Sequence, residues 1–329
     1  MNTVKEPKYL QVDKCQLNGV VKVSGAKNSV LRLLAASLLT EGDVHLENYP
    51  ETLLDAQVHV DMLRFLGKEC QVDSVNNEIL ITENEPLTTA LNWEGRSIRN
   101  TLLILGAMLT RFGKASVPAP GGCAIGGSGT RGFEIHVDLL QTLGATVVVE
   151  KGIIYANAPE GLVGADIKLP IRSTGATENA ILAGSLAKGI TRIWNPHIRP
   201  EIIDLIAFLN SMGAKITVHG QEHIEVIGVE SLKSISHKTM PDNVEALTWV
   251  VAAAITGGEI EIQDFPFEHL EVPLIFLRES GINMFRGENS LVVRGSHCYP
   301  LEVSTGPYPG INSDMQPIMA VMSVMAKGE

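Results

Sequence analysis

Two sets of glycines recur along this chain with one shared period, and that recurrence limits its fold more than any other feature. Gly42, Gly113, Gly189, Gly258 and Gly328 each follow an apolar helical run and stand 71, 76, 69 and 70 residues apart. Gly67, Gly144, Gly213 and Gly281 close a second set of helical stretches, 77, 69 and 68 residues apart. A glycine just past a helix is a common stop, because it enters the left-handed region without strain. Each unit therefore reads as an apolar helix, a strand, a loop, an amphipathic helix and a strand pair about a turn, as in ATVVVEKGIIYAN and AKITVHGQEHIEVIG. A βαβαββ-like unit of about seventy residues is too long for the common helical solenoids and too mixed for a propeller blade.

The first helix of each unit is apolar almost all round: VLRLLAASLL, TLLILGAML, NAILAGSLA, ALTWVVAAAIT and PIMAVMSVMA. A helix without a polar face must be buried on every side. Three such helices packed together, with sheets and amphipathic helices outside them, make a globular domain with helices at its centre, and six units make two domains. Four units and the opening helix of a fifth are present, so the expectation is a chain truncated inside a repeat.

The chain has 329 residues, 45% of them hydrophobic and 19% charged, enough to fill two cores, which excludes intrinsic disorder. A net charge of −11 excludes a basic nucleic-acid footprint, so any anionic ligand must be held by a few local Arg, Lys and backbone N–H groups. Cys15, Cys70, Cys123 and Cys298 form no C-x-x-C pair, which argues against a zinc ribbon or disulfide scaffold and for a reducing cytoplasm. No metal-ligand spacing is visible, no apolar run is long enough to span a bilayer, and the N-terminus lacks the apolar core of a secretory signal. A soluble protein with no nucleic-acid or membrane partner is expected.

The residues at the starts of the apolar helices are Lys27-Asn28, Arg99-Asn100, Ser173-Thr174-Gly175, Asp242-Asn243 and Ser313-Asp314. Pseudo-symmetry would bring these starts toward a common cleft, where unpaired N–H groups and the helix dipoles suit phosphates and carboxylates. Ordinary N-capping explains the Ser, Asn and Asp residues equally well. It does not explain Lys27 and Arg99, since a cation there opposes the dipole unless an anion lies between.

The stretch from Pro118 to Gly132 holds Gly127-x-Gly129-x-x-Gly132 before an apparent helix and superficially matches a dinucleotide fingerprint. Pro118 and Pro120 spoil the strand such a fingerprint requires, and a seventy-residue repeat does not fit a doubly wound sheet. A Gly-rich lid carrying one thiol, Cys123, and one guanidinium, Arg131, fits better. Cys123 reads either as an acid or nucleophile with a depressed pKa or as inert packing. Asp314 reads as a helix cap or as a general base, and His136 as a packed or phosphate-adjacent histidine.

Taken together, Ser24-Gly-Ala-Lys27-Asn28, Ile98-Arg99-Asn100, Gly121-Gly-Cys123-Ala-Ile-Gly126, Ser173-Thr-Gly-Ala-Thr-Glu-Asn179, Pro200-Glu201, Pro241-Asp242, Pro307-Tyr-Pro-Gly and Ser313-Asp314-Met315-Gln316 resemble the UDP-N-acetylglucosamine enolpyruvyl transferases, within the EPSP synthase family. The resemblance runs from about Leu10 to the end of the chain and rests on the order and spacing of these segments. It implies an inside-out α/β barrel of βαβαββ units in two domains. Residues 24–239 would form the first, with the nucleotide-sugar side and the Cys123 loop, and 1–23 plus 240–329 the second, incomplete one.

By the same resemblance the substrates are phosphoenolpyruvate and a UDP-sugar, with no cofactor and no metal. Lys27, Arg99 and Arg131 would contact phosphoenolpyruvate or phosphate groups and Asn28 the sugar. Arg131 to His136, with Glu134 and Ile135, and Ser173, Thr174 and Gly175 would hold the uridine diphosphate. Glu201, Asp242 and Ser313 would support the substrates in the cleft. Asp314 would take the proton from the sugar 3-hydroxyl and Cys123 would help protonate C3, with Lys27 counted beside them as catalytic. The chain departs from the family pattern in a longer segment between Cys123 and Arg131, in Gly132 for a usual Pro, in Asn243 for a typical Arg, and in Ile171 where a nucleotide-contacting Lys occurs. Two alternatives therefore stay open on sequence alone: a relative acting on another nucleotide in secondary metabolism, and a non-catalytic nucleotide-sugar binding protein.

Overall fold

The computed structural model describes residues 11–120 and 132–328. Strand β1 (Asn18–Lys22) precedes the first unit, which contains α1 (Lys27–Ala36), β2 (Val44–Glu47), α2 (Leu54–Leu66), β3 (Glu69–Asp73) and β4 (Glu78–Thr82). The second contains α3 (Thr101–Phe112), β5 (Lys114–Pro118), α4 (Glu134–Thr142), β6 (Thr146–Glu150) and β7 (Ile153–Asn157). Strand β8 (Asp166–Lys168) leads into the third, with α5 (Thr174–Ser185), β9 (Ile190–Trp194), α6 (Pro200–Ser211), β10 (Lys215–His219) and β11 (His223–Ile227). Strand β12 (Ile235–Lys238) leads into the fourth, with α7 (Asn243–Thr256), β13 (Glu259–Gln263), α8 (Glu271–Glu279), β14 (Asn283–Arg286) and β15 (Ser290–Arg294), and α9 (Gln316–Met325) follows.

The fold is mixed α/β, and the four sheets among the described residues share one three-stranded core topology. Within each unit the strand after the first helix pairs antiparallel with the last strand, which pairs with the middle one, giving β2-β4-β3, β5-β7-β6, β9-β11-β10 and β13-β15-β14. Three sheets gain a parallel fourth strand: β12 on β2, β8 on β9 and β1 on β13. In the sheet of β5, only an isolated bridge from Ala90 to Ser116 occupies that place.

These added strands decide how the chain divides. Ser24–Asp242 is one compact unit, and the stretches before and after it together make the other. Strand β1 joins the second through its register with β13, Asn18↔Glu259 to Lys22↔Gln263. Strand β12 instead returns to the first sheet, Ile235↔Val44. The two ends of the Ser24–Asp242 unit are therefore adjacent: Asp242 N–H donates to Ser24 O at 2.9 Å and Ala26 N–H to Met240 O at 2.8 Å.

Helices α1, α3 and α5 lie in the core of the Ser24–Asp242 unit. Every residue from Thr101 to Thr110 in α3 and from Ala176 to Ser185 in α5 is buried, as helices without a polar face require. Gly106 faces Asn179, and one turn further on Thr110 Oγ1 donates to Ala183 O at 2.7 Å, so α3 and α5 run parallel. Helices α1 and α3 are parallel too, because Asn100 Nδ2 reaches Leu31 O at 2.6 Å and Arg111 Nη1 reaches Leu38 O at 3.0 Å. All three amino ends thus share one end of the unit.

The other unit buries α7 through Ala246, Leu247, Val250 and Val251, packed with Ile260, Ile262 and Val293 of its sheet. Helix α9 differs from the expectation of burial on all sides. It buries Met319 and Met322 but exposes Val321, Val324 and Met325, because the described residues pack only one of its faces. The periodic glycines also serve two needs rather than one. Gly113 takes positive φ as the C-cap of α3 and Gly189 takes it in the turn that leads into β9, but Gly42 and Gly258 do not. A Cβ on Gly42 would sit 2.5 Å from Ser234 Oγ, and one on Gly258 1.8 Å from Leu17 O, so these two permit close chain approach.

Gly106→Ala gives a test of the helix packing. Alanine in a helix interior normally stabilises by about 1 kcal/mol, yet a Cβ here would lie 1.9 Å from Asn179 Oδ1. The expected result is the opposite sign, a loss of about 1–3 kcal/mol in chemical denaturation.

Candidate functional site

At the amino end of α1 no side chain of the helix's own sequence caps it; the cap comes from far along the chain. Asp242 Oδ2 accepts the Lys27 N–H at 3.1 Å. The carboxylate expected to help bind substrate is thus also the anion that a cation at a helix start calls for. Lys27 is exposed, Asn28 half-buried and Ser29 fully buried, so the first turn presents Lys27 and Asn28 outward and Ser29 inward.

At α3 the guanidinium of Arg99 anchors the chain that emerges from the Gly-rich stretch, with Nη2 donating to Gly132 O at 2.6 Å. Asn100 is buried and does not cap its own helix. Its amide donates to Leu31 O and, at 2.9 Å, to His59 Nδ1. Glu134 opens α4, where an acid suits the dipole. Its carboxylate lies over Gly132, since a Cβ there would meet Glu134 Oε2 at 2.2 Å. Ile135 packs on the core beside it.

At α5, Ser173 is a true N-cap: its Oγ accepts from Ala176 N–H at 3.3 Å. Thr174 Oγ1 and His197 Nδ1 are 2.8 Å apart. Buried His136 reaches in from α4, with Nδ1 accepting from Asn179 Nδ2 at 3.1 Å. Its ring lies directly beneath Gly175, where a Cβ would stand 3.3 Å from His136 Cε1. Absence of a side chain at Gly175 therefore lets the imidazole approach the helix start.

Glu201 is buried in the first turn of α6, where Arg199 holds it with two hydrogen bonds of 2.8 and 2.9 Å. Ser313 and Asp314 belong to the other unit, exposed in the turn before α9. In that turn Asn312 Oδ1 accepts Asp314 N–H at 3.0 Å and Met315 N–H at 3.2 Å. Cys123 and Arg131 lie outside the described residues. Of the other thiols, Cys70 is buried with its pKa pushed up to about 11, first by desolvation, and is an inert core group.

Sequence reasoning singled out His136 but missed His59 and Asp204, which with it form the polar contacts beneath the inner helices. His59 and His136 occupy the same place in successive units, eight residues before Gly67 and Gly144, and each accepts from an Asn of the following inner helix. Aligning the repeats would have exposed the pair. Asp204 of α6, which binds Ser29 and His237, carries no such repeat signal. Among the described residues there is no cluster able to hold a metal and no helix long and apolar enough to cross a membrane.

His59 makes the stability of this end pH-dependent. Burial, aided by the Arg32 guanidinium, lowers its pKa to about 3, below the ordinary histidine value of 6.5. The unfolded chain then binds a proton that the folded chain excludes, so this contribution is intact above pH 6.5 and declines between pH 6.5 and about 3. The expected slope is up to about 1.4 kcal/mol per pH unit. Urea midpoints measured across that range should fall in the parent chain and fall less steeply in His59→Gln.

Comparison with known proteins agrees with this arrangement. Residues 12–329 match the EPSP synthase (3-phosphoshikimate 1-carboxyvinyltransferase) family. A UDP-N-acetylglucosamine 1-carboxyvinyltransferase from Caulobacter sp. (strain K31) is 39% identical over 95% of this chain and 73% of its own. One from Prochlorococcus marinus (strain AS9601) is 40% identical over 95% of this chain and 68% of its own. Among solved structures, the enolpyruvyl transferase NikO from Streptomyces tendae superposes with a TM-score of 0.83 at 23% identity, over 95% of this chain and 74% of that one. The architecture is thus shared, and this chain belongs to the EPSP synthase family of enolpyruvyl, or carboxyvinyl, transferases.

Proposed function

We propose that the chain transfers the enolpyruvyl group of phosphoenolpyruvate to the 3-hydroxyl of UDP-N-acetylglucosamine, with release of phosphate, as a cytoplasmic step toward peptidoglycan precursors. The observation that carries this reading is the 39% identity, spread over 95% of the chain, to a UDP-N-acetylglucosamine 1-carboxyvinyltransferase. The shared orientation of α1, α3 and α5 supports it, because three parallel amino ends supply N–H groups and positive dipole ends for an anion-rich pair of substrates.

In this reading each domain is an inside-out α/β barrel. Residues 24–239 carry the nucleotide-sugar side with the Cys123 loop, and 1–23 plus 240–329 bring Asp314. Asn28 meets the sugar, while Glu134, Ile135, His136, Ser173, Thr174 and Gly175 hold the uridine diphosphate. Lys27, Arg99 and Arg131 hold phosphate and carboxylate. A guanidinium such as that of Arg99 suits these groups because its planar fork can pair with two oxygens of a phosphate or carboxylate. Glu201, Asp242 and Ser313 support these contacts.

Asp314 takes the proton of the 3-hydroxyl as its oxygen attacks C2 of phosphoenolpyruvate. Cys123 donates a proton to C3, giving a tetrahedral intermediate. Loss of phosphate from C2 and of a proton from C3 then leaves the enolpyruvyl ether. Fixed cations and helix ends suit these steps because the anionic groups keep their positions while charge redistributes.

The test is phosphate release from phosphoenolpyruvate with and without UDP-N-acetylglucosamine. Release that requires the sugar, and falls by roughly 10²–10⁴-fold in Cys123→Ser or Asp314→Ala, is expected. Release indifferent to the sugar, or supported better by another nucleotide in a panel of UDP-sugars and UMP, defeats the assignment.

A further inference from the structure

The carboxylate of Asp204 joins three elements that are far apart in sequence. From α6 it accepts the His237 Nε2–H at 2.8 Å through Oδ1, and the Ser29 hydroxyl through Oδ2. Met240 N–H makes a longer contact to the same Oδ2 at 3.5 Å. His237 lies on β12, and its ring stands edge-on to Phe208 at 5.4 Å and 84°, which fixes the imidazole plane. Asp204 and His237 are mostly buried, with side chains 11% and 15% exposed.

We infer that Asp204, with His237, is a positioning residue that sets the rotation of the first turn of α1, so that Lys27 and Asn28 face the substrates. The inference rests on the function proposed above. Successive helix residues are turned by about 100°, so a hydroxyl held inward at Ser29 puts Asn28 to the side and Lys27 near the opposite face. That is the observed burial order: Ser29 buried, Asn28 half-buried, Lys27 exposed. Met240 O, two residues before Asp242, also accepts Ala26 N–H, so Asp204 fixes both α1 and the segment that caps it.

The chemistry of the clasp argues for placement rather than for cohesion. A buried carboxylate costs desolvation that apolar packing would avoid, and replacing such a group by apolar side chains is often neutral or stabilising. The neighbouring inner helices α3 and α5 are met by His–Asn pairs. Beneath α1, whose exposed first residue is a lysine, the outer helix α6 presents a carboxylate to the first turn instead.

The experiment uses Ser29→Ala and Asp204→Asn in the full chain, well below their unfolding midpoints. It reads amide hydrogen exchange along α1, α3 and α5, and KM and kcat for UDP-N-acetylglucosamine. Exchange at residues 27–30 is expected to rise roughly tenfold or more while α3 and α5 are unchanged, and sugar KM to rise roughly tenfold with a smaller change in kcat. A lowered melting temperature with unchanged local exchange and unchanged KM would make the clasp purely structural and overturn the proposal. Should the parent chain show no sugar-dependent turnover, the proposed function fails by itself, and the exchange data still decide whether Asp204 holds the start of α1.

Discussion

A helix buried around its whole circumference can meet a ligand only at its ends, and this constraint organises the Ser24–Asp242 unit. Helices α3 and α5 expose none of their central residues, so sheets and the amphipathic α2, α4 and α6 must coat them. The carboxy end of α1 is closed by protein groups. Lys68 and Arg111 donate to Thr40 O at 2.8 and 3.1 Å, and Arg111 also to Leu38 O, with Glu83 balancing both cations. Cations at a helix C-terminus complement its dipole. The opposite end is where the unusual residues gather, and its N–H groups and positive dipole ends are of the sign that suits an anion.

Beneath that opposite end lie buried polar pairs that link an outer helix to an inner one, at the first turn for Ser29, at the residue before the helix for Asn100 and mid-helix for Asn179. His59 of α2 meets Asn100, His136 of α4 meets Asn179, and Asp204 of α6 meets Ser29. The third contact runs from the third unit back to the first, as β12 does when it pairs with β2. Buried polar groups destabilise unless satisfied, so each pair admits few geometries, and the inner helices inherit that definition. Glu178 beneath the same end, held by Arg32 at 2.7 Å, has its pKa raised by burial.

Features set by local chemistry were legible in the sequence. The period of the glycines and the apolar helices gave the order of elements, and Lys27 and Arg99 stood out because each opposes its own helix dipole. Features set by distant partners were not. Pairing of β1 with β13, and of β12 with β2, leaves no mark in either strand's own pattern, which fixes faces but not neighbours. Ser29 and Asp204 are 175 positions apart, and either alone reads as an ordinary polar residue. Asp314 was a plausible cap, whereas in the structure it is Asn312 that accepts two N–H groups in the turn before α9. Gly42 and Gly258 kept the period for a reason, close chain approach, that spacing cannot distinguish from a helix stop.

The register of β1 has a consequence for how the protein is made. Asn18 and its partner Glu259 are 241 positions apart, so β1 is synthesised long before the strand that completes its ladder. At about 5–20 residues per second on the ribosome, that strand edge waits on the order of ten seconds or more. The intervening Ser24–Asp242 segment has its own core and its own closing strand, and can fold while β1 waits. During synthesis, exposure to chaperones or to mispairing therefore concentrates on the first strand rather than on the end that carries Lys27 and Arg99.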